Sequence, residues 1–248
     1  MVASIAARRG ISIKDALTFE KARGITYVVL DKIGTVTDGR VTTEEQVYLT
    51  GDRELTKSLL LALMQDNIHP VSRAVSGHLS AQHVQPVALR GKKSWPGKGV
   101  EVVYHGASVR CGNTYWLSIS HRPEDAELQA RRLTTFSMTL SGVPLGLFDL
   151  SSTIRSEAAT VLESLRARSV SLSILSGDTS AAVEPVVTSL GISLRNVRFR
   201  CSPSDKQDYV NKLIESGARV LFIGDGTNDA PAIAAATIGV HSPDGTAD

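Results

Sequence analysis

Cysteine is scarce in this sequence: two occur among 248 residues, Cys111 and Cys201, with no Cys-x-x-Cys pair. This excludes a disulfide framework or a thiolate zinc site and fits a reducing compartment. Long apolar runs are missing too. No stretch reaches the roughly 18 consecutive apolar residues of a membrane span, and the N-terminus lacks a basic region leading into an apolar segment and cleavage site, so the sequence reads as a soluble chain. Surplus charge of either sign is also lacking: Lys and Arg number 27, Asp and Glu 25, and the net charge is +2. No nucleic-acid partner or anionic lipid surface is indicated. Repeats and low-complexity segments are absent, while 42% hydrophobic and 21% charged residues describe a globular chain that can fill one large or two modest cores.

Three apolar runs are present that read as buried strands, each ending on an acid-bearing turn. Thr26 to Leu30 runs into Asp31, Ser171 to Leu175 into Ser176-Gly177-Asp178, and Arg219 to Ile223 into Gly224-Asp225-Gly226. Helical patterns cover Ser12 to Ala22, Ser156 to Arg168 and Asp205 to Ser216. The alternation of strand and helix predicts a doubly wound parallel sheet with its ligands at the strands' carboxyl ends. From about Thr43 to Phe148 the pattern changes to a helix over Leu55 to Met64, then short strands broken by Gly91, Gly97, Gly99, Gly106, Gly112 and Gly142. This reads as an inserted, mainly antiparallel domain that makes the α/β domain discontinuous.

The acid-bearing turns define a chemistry. Asp31-Lys32-Ile33-Gly34-Thr35-Val36-Thr37 places a carboxylate at a strand end before a loop whose glycine frees backbone amides for an anion. Taken alone it also reads as an Asp capping a turn. Gly224-Asp225-Gly226-Thr227-Asn228-Asp229-Ala230-Pro231 sets two acids four residues apart among small residues, which suits a hard oxygen-ligated cation such as Mg²⁺. Asp31 is then the nucleophile, Asp225 and Asp229 the metal acids, Lys206 an offset for phosphate charge and Ser176 a hydroxyl donor: a phosphoryl-transfer set.

These segments, with Ser202-Pro203-Ser204-Asp205-Lys206, resemble the phosphorylation domain of P-type ATPases, within the haloacid-dehalogenase-like superfamily. His69-Pro70, Gly97-Lys98-Gly99 and Gly112-Asn113 resemble the nucleotide-binding domain of the heavy-metal class, copper pumps above all. The resemblance implies a haloacid-dehalogenase-like α/β fold, a doubly wound parallel sheet with an inserted α+β nucleotide-binding domain on an antiparallel sheet. It divides the chain into a membrane-proximal segment and helix over 1–24, the phosphorylation domain over 25–44 and 150–248, and the insert over 45–149. It implies ATP and Mg²⁺ as cofactors and an aspartyl phosphate on Asp31, with Lys32 and Thr35 beside it. Asp31, the Ile33 carbonyl and Asp225 would ligate Mg²⁺, while Asp229 and Asn228 would hold its waters and the phosphate. Lys206 and Ser176 would contact the transferred group. His69, Gly97, Gly99, Gly112 and Asn113 would line the adenine and ribose pocket, and Asp178 counts among the cofactor-binding residues. Val2 to Ile11 resembles a stretch emerging from a membrane helix. The implied setting is the cytoplasmic side of an integral membrane pump whose transmembrane and actuator domains are partners outside these residues, as is the site of the transported ion.

The sequence departs from that pattern at Ile33, where the family has Thr, at Met64 and Ile68, where it has Glu, and at Ser152, where it has Asp. A hydroxyl bond to phosphate lost at Ile33 is worth roughly 0.5 to 3 kcal/mol, or a few-fold to about a hundredfold in rate. Ile33 also stands two residues after the nucleophile, where a phosphatase of this superfamily needs a general acid, so a phosphoenzyme would persist. Two rival readings stand beside the pump: a soluble phosphatase of the same superfamily, and a degenerate nucleotide-binding homologue with little turnover. Bland readings of single residues are that His69 ends a helix, that His78, His83, His105, His121 and His241 are surface residues, that Cys111 is a small core residue, and that Trp95 and Trp116 pack under the insert.

Overall fold

The computed structural model describes residues 2–8, 10–15, 17–49, 52–67, 69–119, 134–225 and 228–242. Ile68, His121, Gly226 and Thr227, each named in the sequence reading, lie outside them. The short helices α1 (Val2–Arg8) and α2 (Thr18–Arg23) precede β1 (Tyr27–Asp31). The helix expected over Ser12 to Ala22 begins only at Thr18, because the Asp15 carboxylate takes the Leu17 N–H at 3.0 Å and the Asp15 carbonyl takes that of Thr18, forming a turn in place of a first helical turn.

β1 is central in a parallel sheet. It pairs on one side with β8 (Ser171–Leu175), which continues to β9 (Val197–Arg198), and on the other with β10 (Val220–Gly224), which continues to β11 (Ile238–His241). Alternation of side chains explains the two covered faces. Val28, Leu30, Leu172 and Ile174 meet α5 (Ala158–Ala167) and α6 (Ser180–Ser189) through Leu162, Val183 and Val187. Val29, Leu175, Val220 and Phe222 meet α7 (Pro203–Glu215) and α8 (Ala230–Ala235) through Val210 and Ala232. The chain builds outward from β1 to β8 and β9, then crosses to β10, so its direction reverses at β1. The crevice for a ligand therefore opens at that strand's carboxyl end.

Between β1 and β8 the chain leaves on β2 (Thr37–Tyr48) and returns on β7 (Val143–Ile154), a long antiparallel pair with register shifts. The pair continues across the expected boundaries near 44 and 149, with a register shift between Thr43 and Glu45. It forms one edge of a six-stranded antiparallel sheet completed by β6 (Thr134–Leu140), β5 (Ala107–Asn113), β4 (Gly99–Tyr104) and β3 (Lys93–Trp95). Helices α3 (Arg53–Met64) and α4 (Pro70–Ala81) cover one face, Leu59, Leu60, Leu63, Val75 and Leu79 packing on Val100, Val102, Val109 and Met138. Phe136 and Phe148 stack within that core at 4.8 Å. Cys111 belongs to it, and burial pushes its thiol pKa up, away from reactivity. On the other face Trp116 packs on Leu117, Ile119 and Leu147, while Trp95 is half-buried and donates to Glu101 at 3.1 Å. His83, His105 and His241 are exposed, and His78 is half-buried.

Candidate active site

Asp31 ends β1, and the chain turns sharply after it. Ile33 (φ −77°, ψ 132°) and Gly34 (φ 74°, ψ −10°) have the dihedral pair of a type II turn, whose second position demands the positive φ that glycine adopts without strain. Thr37 braces the loop, its hydroxyl accepting from Gly34 N and donating to the Lys32 carbonyl, both at 3.3 Å. Arg155, just past β7, clamps it from outside by donating to the Thr35 and Gly34 carbonyls at 3.0 Å each.

Helix α7 delivers the cation. Ser202 and Asp205 close a capping box around Pro203 at the first position, which fixes where the helix starts. Lys206 then points, with Val210 one turn on, toward the sheet. Its ammonium donates to Asp31 Oδ1 at 2.5 Å and to Asp229 Oδ1 at 2.6 Å, with Asp31 7%, Lys206 4% and Asp229 1% exposed. Asp229 Oδ2 accepts from Asp225 N at 3.3 Å, and Gly224 makes room for that carboxylate, since a Cβ there would lie 2.2 Å from Asp229 Oδ2.

Two carboxylates sharing one ammonium leave a buried negative charge. Burial raises the pKa of both Asp31 and Asp229, against the pull of Lys206. Burial alone would lower Lys206, but attraction to the two acids outweighs it, so the lysine stays charged. Lys32 pairs with Asp178, whose N–H donates to Ser176 Oγ at 3.1 Å. Ser176 directly follows β8 and is itself buried. Asn228 is half-buried beside Asp229. The Thr35 hydroxyl is buried in the loop without a hydrogen-bond partner.

The nucleotide-side candidates lie in the insert, Gly97, Gly99, Gly112 and Asn113 where β4 and β5 meet and His69 at the start of α4. Gly99 and Gly112 face each other across β4 and β5, where a Cβ on Gly99 would lie 2.1 Å from the Cys111 carbonyl oxygen and one on Gly112 2.1 Å from that of Lys98. The Asn113 amide donates to the Gly97 carbonyl at 2.9 Å, and its oxygen accepts from Trp116 N at 2.7 Å, tying two loops together. His69 does not end a helix: it caps the start of α4, accepting from Val71 N at 3.3 Å, because Pro70 has no N–H to lose at the first helical position.

Residues 25–237 match the model of the haloacid dehalogenase-like hydrolases. The chain belongs to that family. It is similar to a probable copper-transporting ATPase, SynA, of Synechococcus, 32% identical over 239 residues that make up 95% of this chain and 30% of the relative. The copper-exporting P-type ATPase of Vibrio cholerae is 28% identical over 97% of this chain and 27% of its own length. The chain thus spans about a third or less of the curated relatives it matches. Among solved structures, the catalytic domain of the CPx-ATPase CopB-B shares the fold at a TM-score of 0.82, with 24% identity, covering 96% of this chain and 85% of that one. A zinc-transporting PIB-type ATPase in an E2.Pi state matches at 0.54 with 28% identity, covering 96% of this chain and 39% of that one.

In this hydrolase fold the donor set suits Mg²⁺. That ion usually takes one or two carboxylates, with waters and phosphate oxygens completing its shell. Asp31 and Asp225 stand at the carboxyl ends of the neighbouring strands β1 and β10 and offer carboxylates of that kind. No three His, Cys, Asp or Glu side chains that could hold a metal ion converge among the described residues. No helix among them is long and apolar enough to cross a membrane. Two residues that shape the loop escaped the sequence reading, Thr37 and Arg155. Thr37 looked like one more polar residue of the motif, and Arg155 lies 124 residues away along the sequence from Asp31, so only the return of β7 beside β2 brings it near.

Proposed function

We propose that this chain is the phosphorylation and nucleotide-binding portion of a heavy-metal, copper-type P-type ATPase, and that it transfers the γ-phosphoryl group of ATP to Asp31. The observation that carries the reading is the single buried ammonium of Lys206 shared by Asp31 and Asp229, which brings the first and last motifs to one point. Residues 25–44 and 150–248 form the phosphorylating part and 45–149 the nucleotide-binding part, on the membrane-facing cytoplasmic side of a pump whose transmembrane and actuator domains lie outside these residues.

An Asp31 carboxylate oxygen attacks the γ-phosphorus, and the bond to the oxygen bridging the β- and γ-phosphates breaks with its electron pair leaving on ADP. Lys206, Ser176 and the backbone amides of the Gly34 turn receive the charge spread over the equatorial oxygens, and the orphaned Thr35 hydroxyl is a further donor to them. Asp31, the Ile33 carbonyl and Asp225 would hold Mg²⁺, with Asp229 and Asn228 on its waters; when bound it neutralises phosphate charge and orients the transferred group. Lys206 opposes the burial that raises the Asp31 pKa and so favours the ionised, nucleophilic form. Ile33 has no group to take a proton from an attacking water, so the acyl phosphate persists long enough to drive a conformational change. His69, Gly97, Gly99, Gly112 and Asn113 hold the nucleoside, and Asp178 orients Lys32 beside the phosphates.

The test is incubation with γ-labelled ATP and Mg²⁺, acid quench, and treatment with hydroxylamine. The chain takes up label that hydroxylamine releases, and Asp31→Asn takes up none. Label on Asp31→Asn would overturn the assignment.

A further inference from the structure

We infer that Tyr115 and Arg200 are positioning residues for this transfer: their contact holds the tip of the antiparallel sheet over the carboxyl end of the parallel one. The inference rests on the reading just given. Tyr115 is 70% exposed, an unusual place for an aromatic, and the Arg200 guanidinium lies 5.7 Å from its ring centroid, within reach of a cation–π attraction. Arg200 is held in the left-handed region at φ 54°, a conformation that non-glycine residues resist. Two backbone bonds keep it there, Arg200 N to the Asp178 carbonyl at 2.8 Å and Cys201 N to the Ser176 carbonyl at 2.9 Å. The arginine that reaches the tip is thus fastened to the turn that carries Ser176 and Asp178.

A second contact runs beside the first. Gly97 lies so close to the start of α7 that a Cβ on it would be 2.9 Å from Pro203 Cδ, and α7 carries Lys206. Because Asn113 ties Gly97 to Trp116, the Tyr115 turn and the Gly97 loop move as one body. The covalent links between the two sheets are the paired strands β2 and β7, whose register shifts between Thr37 and Val41, so the tip contact has leverage over how the insert sits. A cation–π pair at an exposed site shifts such an equilibrium about two- to fivefold.

The experiment compares two phosphoryl donors on the 248-residue chain. ATP needs the insert brought down onto Asp31, whereas acetyl phosphate needs only Asp31, Lys206 and Mg²⁺. Tyr115→Ala and Arg200→Ala raise the KM for ATP in the labelling reaction about two- to fivefold, with the rate at saturating ATP and the rate from acetyl phosphate unchanged. Tyr115→Phe keeps the ring face and keeps the parent KM, while Tyr115→Arg sets two cations together and exceeds the alanine effect. Small-angle scattering without nucleotide shows a larger radius of gyration for Arg200→Ala and Tyr115→Arg. An unchanged ATP KM, an equal loss with both donors, or Tyr115→Phe behaving as the alanine variant overturns the inference. A parent chain labelled by neither donor overturns the phosphoryl-transfer reading instead, and the scattering comparison then decides the contact by itself.

Discussion

Removing the Lys206 ammonium is the sharpest perturbation of this site. Oxygens of Asp31 and Asp229 lie 2.5 and 2.6 Å from the same nitrogen, which places them no more than about 5 Å apart. Two unit negative charges at about 5 Å repel by roughly 3 kcal/mol at an effective dielectric near 20. Breaking a buried ion pair by deleting one partner costs about 3 to 5 kcal/mol, of the same size. Lys206→Ala therefore loses about 3 kcal/mol of folding stability at pH 7, read as a fall in urea midpoint of about 1 to 3 M. Lys206→Ala with Asp229→Asn removes the repulsion and recovers most of the loss, so the pair is strongly non-additive. Mg²⁺ stabilises Lys206→Ala more than Lys206→Ala with Asp229→Asn, since only the former keeps both charges. The pH dependence has a definite sign. Both carboxyl pKa values are raised above the ordinary 3.8 by burial, so the native state holds more protons than the unfolded one above that pH, and this part of the stability falls as pH rises. Without the lysine the slope steepens, and the deficit of Lys206→Ala shrinks as pH is lowered toward 4. A loss below about 1 kcal/mol, additive with Asp229→Asn and flat with pH, would refute a shared buried cation.

Further outcomes follow from single contacts. Gly224→Ala drives a methyl into Asp229 Oδ2, 2.2 Å from the ideal Cβ; it destabilises by about 1 to 3 kcal/mol and weakens Mg²⁺ binding, seen by calorimetric titration. Ile33→Thr adds a hydroxyl at the turn and accelerates labelling of Asp31 from a few-fold to about a hundredfold in rapid quench, without speeding hydrolysis of the label to the same degree. His69→Asn keeps a side-chain acceptor for Val71 N but removes the imidazole; the melting temperature holds within a few degrees while ATP affinity falls. His69→Ala loses the cap as well, about 1 kcal/mol, and an equal ATP affinity for the Asn variant and the parent would separate the imidazole from nucleotide recognition.

Much of the parallel sheet was legible because its strands are short, apolar and flanked by acids. Ser171 to Leu175 matches β8 end for end, and the other two strands lie within a residue of the observed bounds. Helix ends were less legible, since caps decide them: α3 begins at Arg53 on the Asp52 side chain and α7 at Pro203 on its capping box, each two residues before the apolar pattern. Helices α4 and α6 were missed. The first starts on a histidine and a proline, and the second contains Pro185 in a run of small residues, so neither shows the usual amphipathic signature. The resemblance reads Gly97, Gly99 and Gly112 as nucleotide contacts. In the structure Gly99 and Gly112 are also required by each other's backbone, a cross-strand approach that residue spacing does not encode.

By itself the sequence determined the chemical inventory: which strand ends carry acids, which turn needs glycine, and that the residue two past Asp31 has no proton to transfer. Those are local properties, fixed by covalent structure and by a few neighbouring dihedrals. Only the tertiary structure decided that one ammonium serves both Asp31 and Asp229, that Arg155 braces a loop 120 residues away, and that an arginine from one sheet meets a tyrosine from the other. The physical reason is that such contacts depend on how the sheet's strand order and the long β2–β7 pair fold distant segments together, and burial around Lys206 turns a weak attraction between charges in water into one strong enough to organise a site.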